Sequence, residues 1–467
     1  MTHAANALVV GGGLAGCEAA WQLAVRGHAV TLIEMRPVRT TPAHRTAQLA
    51  ELVCTNSFKS TDTSNAHGLL KSEMQQLGSI LLEAAFAARV PAGTALAVDR
   101  DAFARIMSER IEAHPRITIE RRELTRLPAE PCIIATGPLT SDALAAEVAA
   151  LLGDDGLAFY DAIAPIVADE SIDRTIAFAA SRWGKGEGDD YLNCPLDADE
   201  YARFIEALRA ADIHPGHDWE NVPYFEGCLP IEVMAERGED TLRFGPMRPV
   251  GLRDPRSGRR PHAVVQLRRE DRRGQMWNLV GFQTRLRTGE QRRVFRMIPG
   301  LANAEFLRMG SIHRNTYLNF PARLEAYGAP QARADLIFAG QLTGVEGYTE
   351  SAASGILAGI NLHRLLCSAR PVVPPPSTML GALLRWLRDA PPGQFQPMNS
   401  NFGLLDPLDV HIRDKGARRN ALIQRAQSDF TTWIDAHALT LPDDPQVQSA
   451  LQADAAAALA GSTGALS

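Results

Sequence analysis

The feature that most constrains this chain is a run of glycines set between a short apolar strand and a helix. Leu8-Val9-Val10 runs directly into Gly11-Gly12-Gly13-Leu14-Ala15-Gly16, and a helical stretch follows through Arg26. That G-x-G-x-x-G spacing, in that context, opens a dinucleotide-binding βαβ unit. Gly11 permits the tight turn, Gly13 lets backbone approach a pyrophosphate, and Gly16 lets helix and strand pack closely, with phosphate on the positive end of the helix. Gly12, Leu14 and Ala15 complete the candidate cofactor loop. A second strand, Ala29 to Ile33, ends in Glu34, 18 residues beyond Gly16. This is close to the ~20-residue spacing at which an acid accepts from ribose hydroxyls, and an acid there disfavours a 2′-phosphate. Three glycines alone could merely form a turn beside a solvated Glu34; strand, helix, second strand and acid together argue against that.

An S-adenosylmethionine enzyme can also begin with such a turn, so the cofactor needs a second signal. Pro131-Cys132-Ile133-Ile134-Ala135-Thr136-Gly137-Pro138 reads as a strand entering a glycine turn, resembling the A-T-G segment of two-dinucleotide-fold flavoproteins. Asp335 to Gln341 gives another strand and turn, which makes Gly340 and Gln341 candidates. The small-residue helix start Glu350 to Gly359 follows, suited to lying close to a flavin and its phosphates. Taken alone it reads equally well as a tightly packed Ala/Gly helix. Joined to the first motif, these segments favour FAD.

A chain of 467 residues requires more than one domain. Residues 1–165 and 330–440 are expected to build one doubly wound, Rossmann-like α/β domain, with C-terminal helices in its second part. A smaller α+β insertion spans 166–329, and a flexible tail covers 441–467. No apolar run approaches the ~20 residues that span a bilayer, and the N-terminus lacks the pattern of a secretory signal. Cysteines 17, 54, 132, 194, 228 and 367 form no C-x-x-C pair. The expected setting is a reducing cytoplasm without a membrane partner. His214-Pro215-Gly216-His217 has no third ligand at suitable spacing, so no metal is expected.

The net charge of -6 does not announce a nucleic-acid partner, so any basic surface must be local. Such a stretch exists: nine arginines (248, 253, 256, 259, 260, 268, 269, 272 and 273) stand between Met247 and Gly274 against Asp254, Glu270 and Asp271. Arginine binds phosphate oxygens bidentately, which places nucleic acid slightly ahead of a solvated hairpin. The interleaved Trp277, Phe282 and Phe295 either stack on bases or form the insertion's core.

Two thiols stand apart from core packing. Cys54 lies in the polar loop Glu51 to Ser60, where Lys59 or a helix N-terminus could raise its thiolate fraction. Cys228 lies between Gly227 and Pro230 in a shaped turn. Cys17, Cys132 and Cys367 read as packing, and Cys194 is undecided.

These segments resemble a particular family over nearly the whole chain: the folate- and FAD-dependent tRNA uracil-5-methyltransferases called TrmFO. The resemblance is carried by Val9 to Ala20, Val53-Cys54-Thr55-Asn56-Ser57, Phe225-Glu226-Gly227-Cys228-Leu229-Pro230, and Phe244 to Leu252 (FGPMRPVGL). It continues through Gln283-Thr284, His313 to Tyr317, Gly340 to Tyr348 and Gln396 to Asn399. It implies one-carbon transfer from 5,10-methylenetetrahydrofolate to C5 of a T-loop uridine in tRNA, with reduced FAD supplying electrons and NAD(P)H regenerating it. Uracil C5 becomes nucleophilic when a thiolate adds at C6, so one cysteine should attack and a base should later remove the C5 proton. Under this resemblance Cys228 is the expected nucleophile and Cys54 its partner as base or gatekeeper. It also sets His313 against the folate pterin and Tyr348 beside the isoalloxazine. A flavin oxidoreductase acting on a small molecule is the competing expectation, and a non-catalytic FAD- or tRNA-binding scaffold the third. No obligate protein partner is implied.

Overall fold

The computed structural model describes residues 6–41, 43–153, 157–214, 229–391 and 395–441, with main chain alone at 157–162, 312–314 and 322. Its centre is a five-stranded parallel sheet in the order Leu336–Phe338, Cys132–Ile134, Asn6–Val10, Ala29–Glu34, Ile117–Arg121. A parallel sheet covered on both faces needs apolar residues on both, and Val9, Leu32, Ile133 and Ile337 are fully buried. Val10 pairs with Ile33 on one side and Ile134 on the other, and Ile134 with Phe338. The carboxyl ends of these strands therefore share one edge, where the chain crosses to opposite sides of the first strand. Doubly wound sheets hold ligands in that crevice.

The helix Leu14–Val25 is buried along its whole length. Across it lies Tyr348–Leu366, so close that a Cβ at Gly355 would stand 2.2 Å from the Ala15 carbonyl oxygen. The Ala/Gly stripe expected from the sequence therefore packs helix on helix, while the first turn of the same helix reaches the crevice.

A second, antiparallel sheet has the order Phe178–Ala179, Tyr191–Leu196, Ala263–Arg269, Met276–Leu279, Ile166–Ala168, Phe306–Arg308. Helix Ala198–Arg209 buries Tyr201, Phe204, Ile205 and Leu208, a one-face spacing, and begins at a capping box between Asp197 and Glu200. Trp277, Phe282 and Phe295 belong to this core. Of the two readings open for those aromatics, the structure selects packing: their rings cannot stack on a ligand. One core draws on residues Ala7 to Leu152 and Tyr317 to Leu439, the other on Ala164 to Ala304. The antiparallel strands Leu157–Ile163 and Ser311–Tyr317 join them. Among the described residues, no helix is long and apolar enough to cross a membrane.

Candidate active site

A cleft of about 1050 Å³ opens at the crevice, lined by Val10, Gly11, Gly13, Leu14, Ala15, Glu34, Gly340, Gln341 and Tyr348 among others. Its shape follows from the glycine turn. Gly11 has φ +103°, and a Cβ there would stand 2.5 Å from the Ala135 carbonyl oxygen. A Cβ at Gly13 would meet nothing within 4 Å, so main chain borders open space there. Gly13 is also the N-cap of Leu14–Val25, with no side-chain cap and no acid in the first turn. The helix thus presents unsatisfied N–H groups and the positive end of its dipole to the cleft, the arrangement that receives a pyrophosphate. Gly12 and Gly16 do not line it. The Gly12 N–H donates to Glu34 Oε2 at 2.8 Å, and a Cβ at Gly16 would fall 1.8 Å from the Gly11 oxygen. Both glycines shape the turn.

Glu34 Oε1 accepts from the Arg36 main-chain N–H and Nε, each at 2.9 Å. Burial alone would raise its pKa, but the Arg36 hydrogen bonds and charge, with the Gly12 N–H, hold the carboxyl below its usual range. It is an ionised acceptor on the wall of the cleft. The donor set and the open cradle fit FAD.

A second pocket, of about 1330 Å³, continues from the first and shares Val53, Pro138, Leu139, Gln341 and Tyr348 with it. Cys54 lines it together with Thr55, Lys59, Arg268, Asn278, Gln283, Glu350 and Asn399. The Tyr348 phenol oxygen accepts from the Cys54 N–H at 2.8 Å and the Thr55 N–H at 3.2 Å, tying the thiol loop to the flavin cleft. Burial and the neighbouring Cys54 push the phenol's pKa well up, so it stays protonated.

Three arginines hold the same loop. Arg100 donates to the carbonyls of Leu52 (2.8 Å) and Cys54 (3.2 Å), and Arg308 to that of Val53 (2.8 Å). Arg268 donates to Asn56 Oδ1 (2.9 Å) and Thr55 Oγ1 (2.7 Å). Burial lowers the pKa of Arg308 to about 10 and also lowers that of Arg268; in Arg100 the Glu270 carboxylate, 2.6 Å away, outweighs burial and raises it. The charges of all three guanidinium groups reach Cys54. Lys59, one of the positive groups expected near this thiol from the sequence, lines the same pocket, and its charge acts on Glu350. Burial would raise the Glu350 pKa, but His67, Lys59 and the Ser400 N–H bring it down to about 2.

Cys228 lies outside the described residues. His313 sits on the joining strand opposite Asp161, with its side chain outside the description. Gly340 and Gln341 begin the turn before Tyr348, and Gln341 donates to Glu346 Oε2 at 2.7 Å. Cys132 and Cys194 are core residues whose thiols burial raises to about 12 each. Cys367 corrects the packing expectation: it is exposed, because it caps Tyr348–Leu366 just past the last buried turn, 3.8 Å from His363 Nδ1. The arginine ring around Cys54 had no local signal. Arg268 sits in an apolar strand, and its partners lie more than 200 residues earlier.

A family model described as glucose inhibited division protein A matches residues 6–369. A relative from Geobacter sulfurreducens, named methylenetetrahydrofolate–tRNA-(uracil-5-)-methyltransferase TrmFO, is 57% identical over 427 residues, covering 91% of this chain and 98% of its own. The chain belongs to the TrmFO family. A TrmFO relative bearing the same name, from Thermosynechococcus vestitus, is 54% identical over 440 residues, covering 94% of this chain and 96% of its own. The solved GidA from Aquifex aeolicus superposes with a TM-score of 0.65 at 16% identity, over 95% of this chain and 75% of that one, and shares the fold.

Proposed function

We propose that this chain transfers a one-carbon unit from 5,10-methylenetetrahydrofolate to C5 of a T-loop uridine in tRNA, with FAD as cofactor and NAD(P)H as reductant, in the cytoplasm. The observation that carries this reading is the Cys54 loop, which opens onto a pocket continuous with the flavin cleft and is pinned to it by Tyr348. The names of relatives more than 50% identical over nine-tenths of the chain supply the substrates.

Bound in the cleft, the flavin supplies the electron pair that reduces the transferred carbon to a methyl group. The chain's own residues do the rest. Gly13 and the first turn of Leu14–Val25 hold the pyrophosphate and Glu34 the adenosine ribose, while Gly340 and Gln341 face the flavin end. A uracil entering the second pocket meets Cys54 beside three arginines, whose positive charge favours negative charge developing on the uracil oxygens. In this reading Cys228 adds to C6, C5 attacks the methylene carbon, and Cys54 removes the C5 proton before the sulfur–C6 bond breaks. His313 stacks on the pterin, and residues 166–329 face the tRNA. An oxidoreductase working on a small molecule is disfavoured by these relatives and would give no uridine product.

The test uses undermodified tRNA with labelled methylenetetrahydrofolate and NADPH. Label should appear at uracil C5 with the wild type and disappear in Cys228→Ala and Cys54→Ala proteins that still bind flavin. No label from the wild type beside an active control rejects the function. Label from Cys228→Ala rejects the cysteine assignment alone.

A further inference from the structure

With Trp277, Phe282 and Phe295 packed inside, other aromatic rings face solvent. Phe244 is 81% exposed and Trp183 is 71% exposed, the largest values among the Phe and Trp side chains described. An isolated exposed ring needs no explanation. These two are built into one structure. Trp183 holds a left-handed backbone, φ +59° and ψ 24°, which is unfavourable for a bulky residue and has to be held by its surroundings. The holding contacts are visible: the Trp183 N–H donates to the Gly251 carbonyl at 3.1 Å, and Arg182 donates to the Val250 carbonyl at 2.9 Å. The indole lies on the Gly251 main chain, where a Cβ would stand 2.8 Å from Nε1. Gly251 and Phe244 belong to one short segment folded by successive turns, Arg248 N–H to Gly245 oxygen and Leu252 N–H to Pro249 oxygen.

That segment borders the catalytic pocket. Pro246 packs on Gly281, where an added Cβ would meet Pro246 Cβ at 2.6 Å, and Gly281 lines the pocket that contains Cys54. Exposed Arg248 lies between Phe244 and Gly251 in this segment and exposed Arg253 follows it, while Arg243 is tied to Asp240 at 2.6 Å. Exposed Lys185 and the exposed acids Glu187 and Asp189 follow Trp183, so the acids offset the lysine there while Arg248 stands on the Phe244 side of the segment.

We infer that Trp183 and Phe244 are a stacking platform for unpaired bases of the tRNA substrate, with Arg248 contacting the adjoining phosphates, placed beside the pocket that takes the target uridine. This deepens the tRNA reading above and rests on it. Aromatic faces receive splayed loop bases of any sequence, and arginine between them satisfies the backbone charge.

The test measures binding of undermodified tRNA to flavin-loaded Trp183→Ala, Phe244→Ala and double-variant proteins at fixed salt, together with steady-state methylation. Each single alanine should weaken binding about 5- to 160-fold, the range for losing one stacked base. KM for tRNA should rise, with kcat and the flavin spectrum unchanged. Trp183→Phe and Phe244→Tyr should restore binding, and Arg248→Gln should lower the dependence of log affinity on log salt by about one. Wild-type affinity in the double variant overturns the platform. So does a changed sedimentation of the free variant, which would make the patch an interface between copies. If the wild type methylates tRNA but the variants are unaffected, only the platform falls; if the wild type neither binds nor methylates tRNA, the parent reading falls first.

Discussion

The contact between Leu14–Val25 and Tyr348–Leu366 makes a prediction whose sign is set by two opposed effects. In an open helix, replacing glycine by alanine is favourable by about 1 kcal/mol. At Gly355 the new Cβ would stand 2.2 Å from the Ala15 oxygen, 2.6 Å from its Cα and 2.7 Å from its carbonyl carbon. All three are main-chain atoms of a buried helix, so no side chain can rotate out of the way. Ordinary contact begins at 3.4 Å, so the helices must part by about 1.2 Å. Overpacking of this kind costs about 1–3 kcal/mol, enough to reverse the propensity gain. Because the clash is with main chain that cannot rotate away, the upper part of that range applies, and Gly355→Ala should destabilise by up to about 2 kcal/mol after the two are combined.

The displacement also reaches the site. Tyr348 and Ser351, on the first turns of the moving helix, line the flavin cleft. The variant should lose flavin as well as stability. The assay is the apparent Tm of flavin-free and flavin-loaded protein at one scan rate, with the flavin-to-protein absorbance ratio. Gly289→Ala is the control: it lies in helix Thr288–Phe295, where an added Cβ meets nothing within 4 Å, and it should leave Tm unchanged or slightly raised. A Gly355→Ala protein that melts at or above wild type and retains its flavin would refute the argument from backbone contact.

Two further outcomes follow from the buried polar groups. Burial raises Glu18 to about 8 against 4.5 unfolded, so the folded state keeps a proton that the unfolded chain releases, and stability from this group falls as pH rises from 4.5 to 8. Glu18→Gln should flatten denaturant-derived stability by up to about 1.4 kcal/mol per pH unit between pH 6.5 and 8, above the range where His363, lowered to about 4, changes charge; parallel profiles would count against it. Tyr348→Phe removes the acceptor of the Cys54 and Thr55 N–H groups and should lower stability by about 1–3 kcal/mol while flavin still binds; an unchanged Tm would show that the loop is held without the phenol.

The dinucleotide half of the site was legible in the sequence because its determinants are local. The glycine turn, its helix and Glu34 lie within one βαβ unit, and the structure places Glu34 against Gly12 at the cleft. Even there, spacing did not separate Gly13, which borders open space, from Gly12 and Gly16, which shape the turn. The Cys54 half was legible only as a thiol in a polar loop. What surrounds that thiol comes from Arg100, Arg268, Arg308 and Tyr348, contacts that span 46 to 294 residues of chain. An arginine-dense stretch says nothing of which guanidinium turns inward, and an aromatic among arginines says nothing of its burial: Arg268 and Trp277 went in, Arg248 and Trp183 stayed out.

That asymmetry has a physical consequence. The flavin cleft is assembled almost wholly from the parallel sheet and the helices packed on it, whereas the Cys54 loop is fastened from the far side by Arg268 and Arg308 on the antiparallel sheet. Each of those fastenings is a buried or half-buried guanidinium donating to a group of the loop, so loosening the antiparallel sheet removes several charge-assisted hydrogen bonds at once from the loop that carries the thiol and leaves the walls of the flavin cleft largely in place. Flavin binding and thiol placement are therefore separable properties of one chain. The second depends on how the two cores dock, because Arg268 and Arg308 reach the loop from the antiparallel sheet.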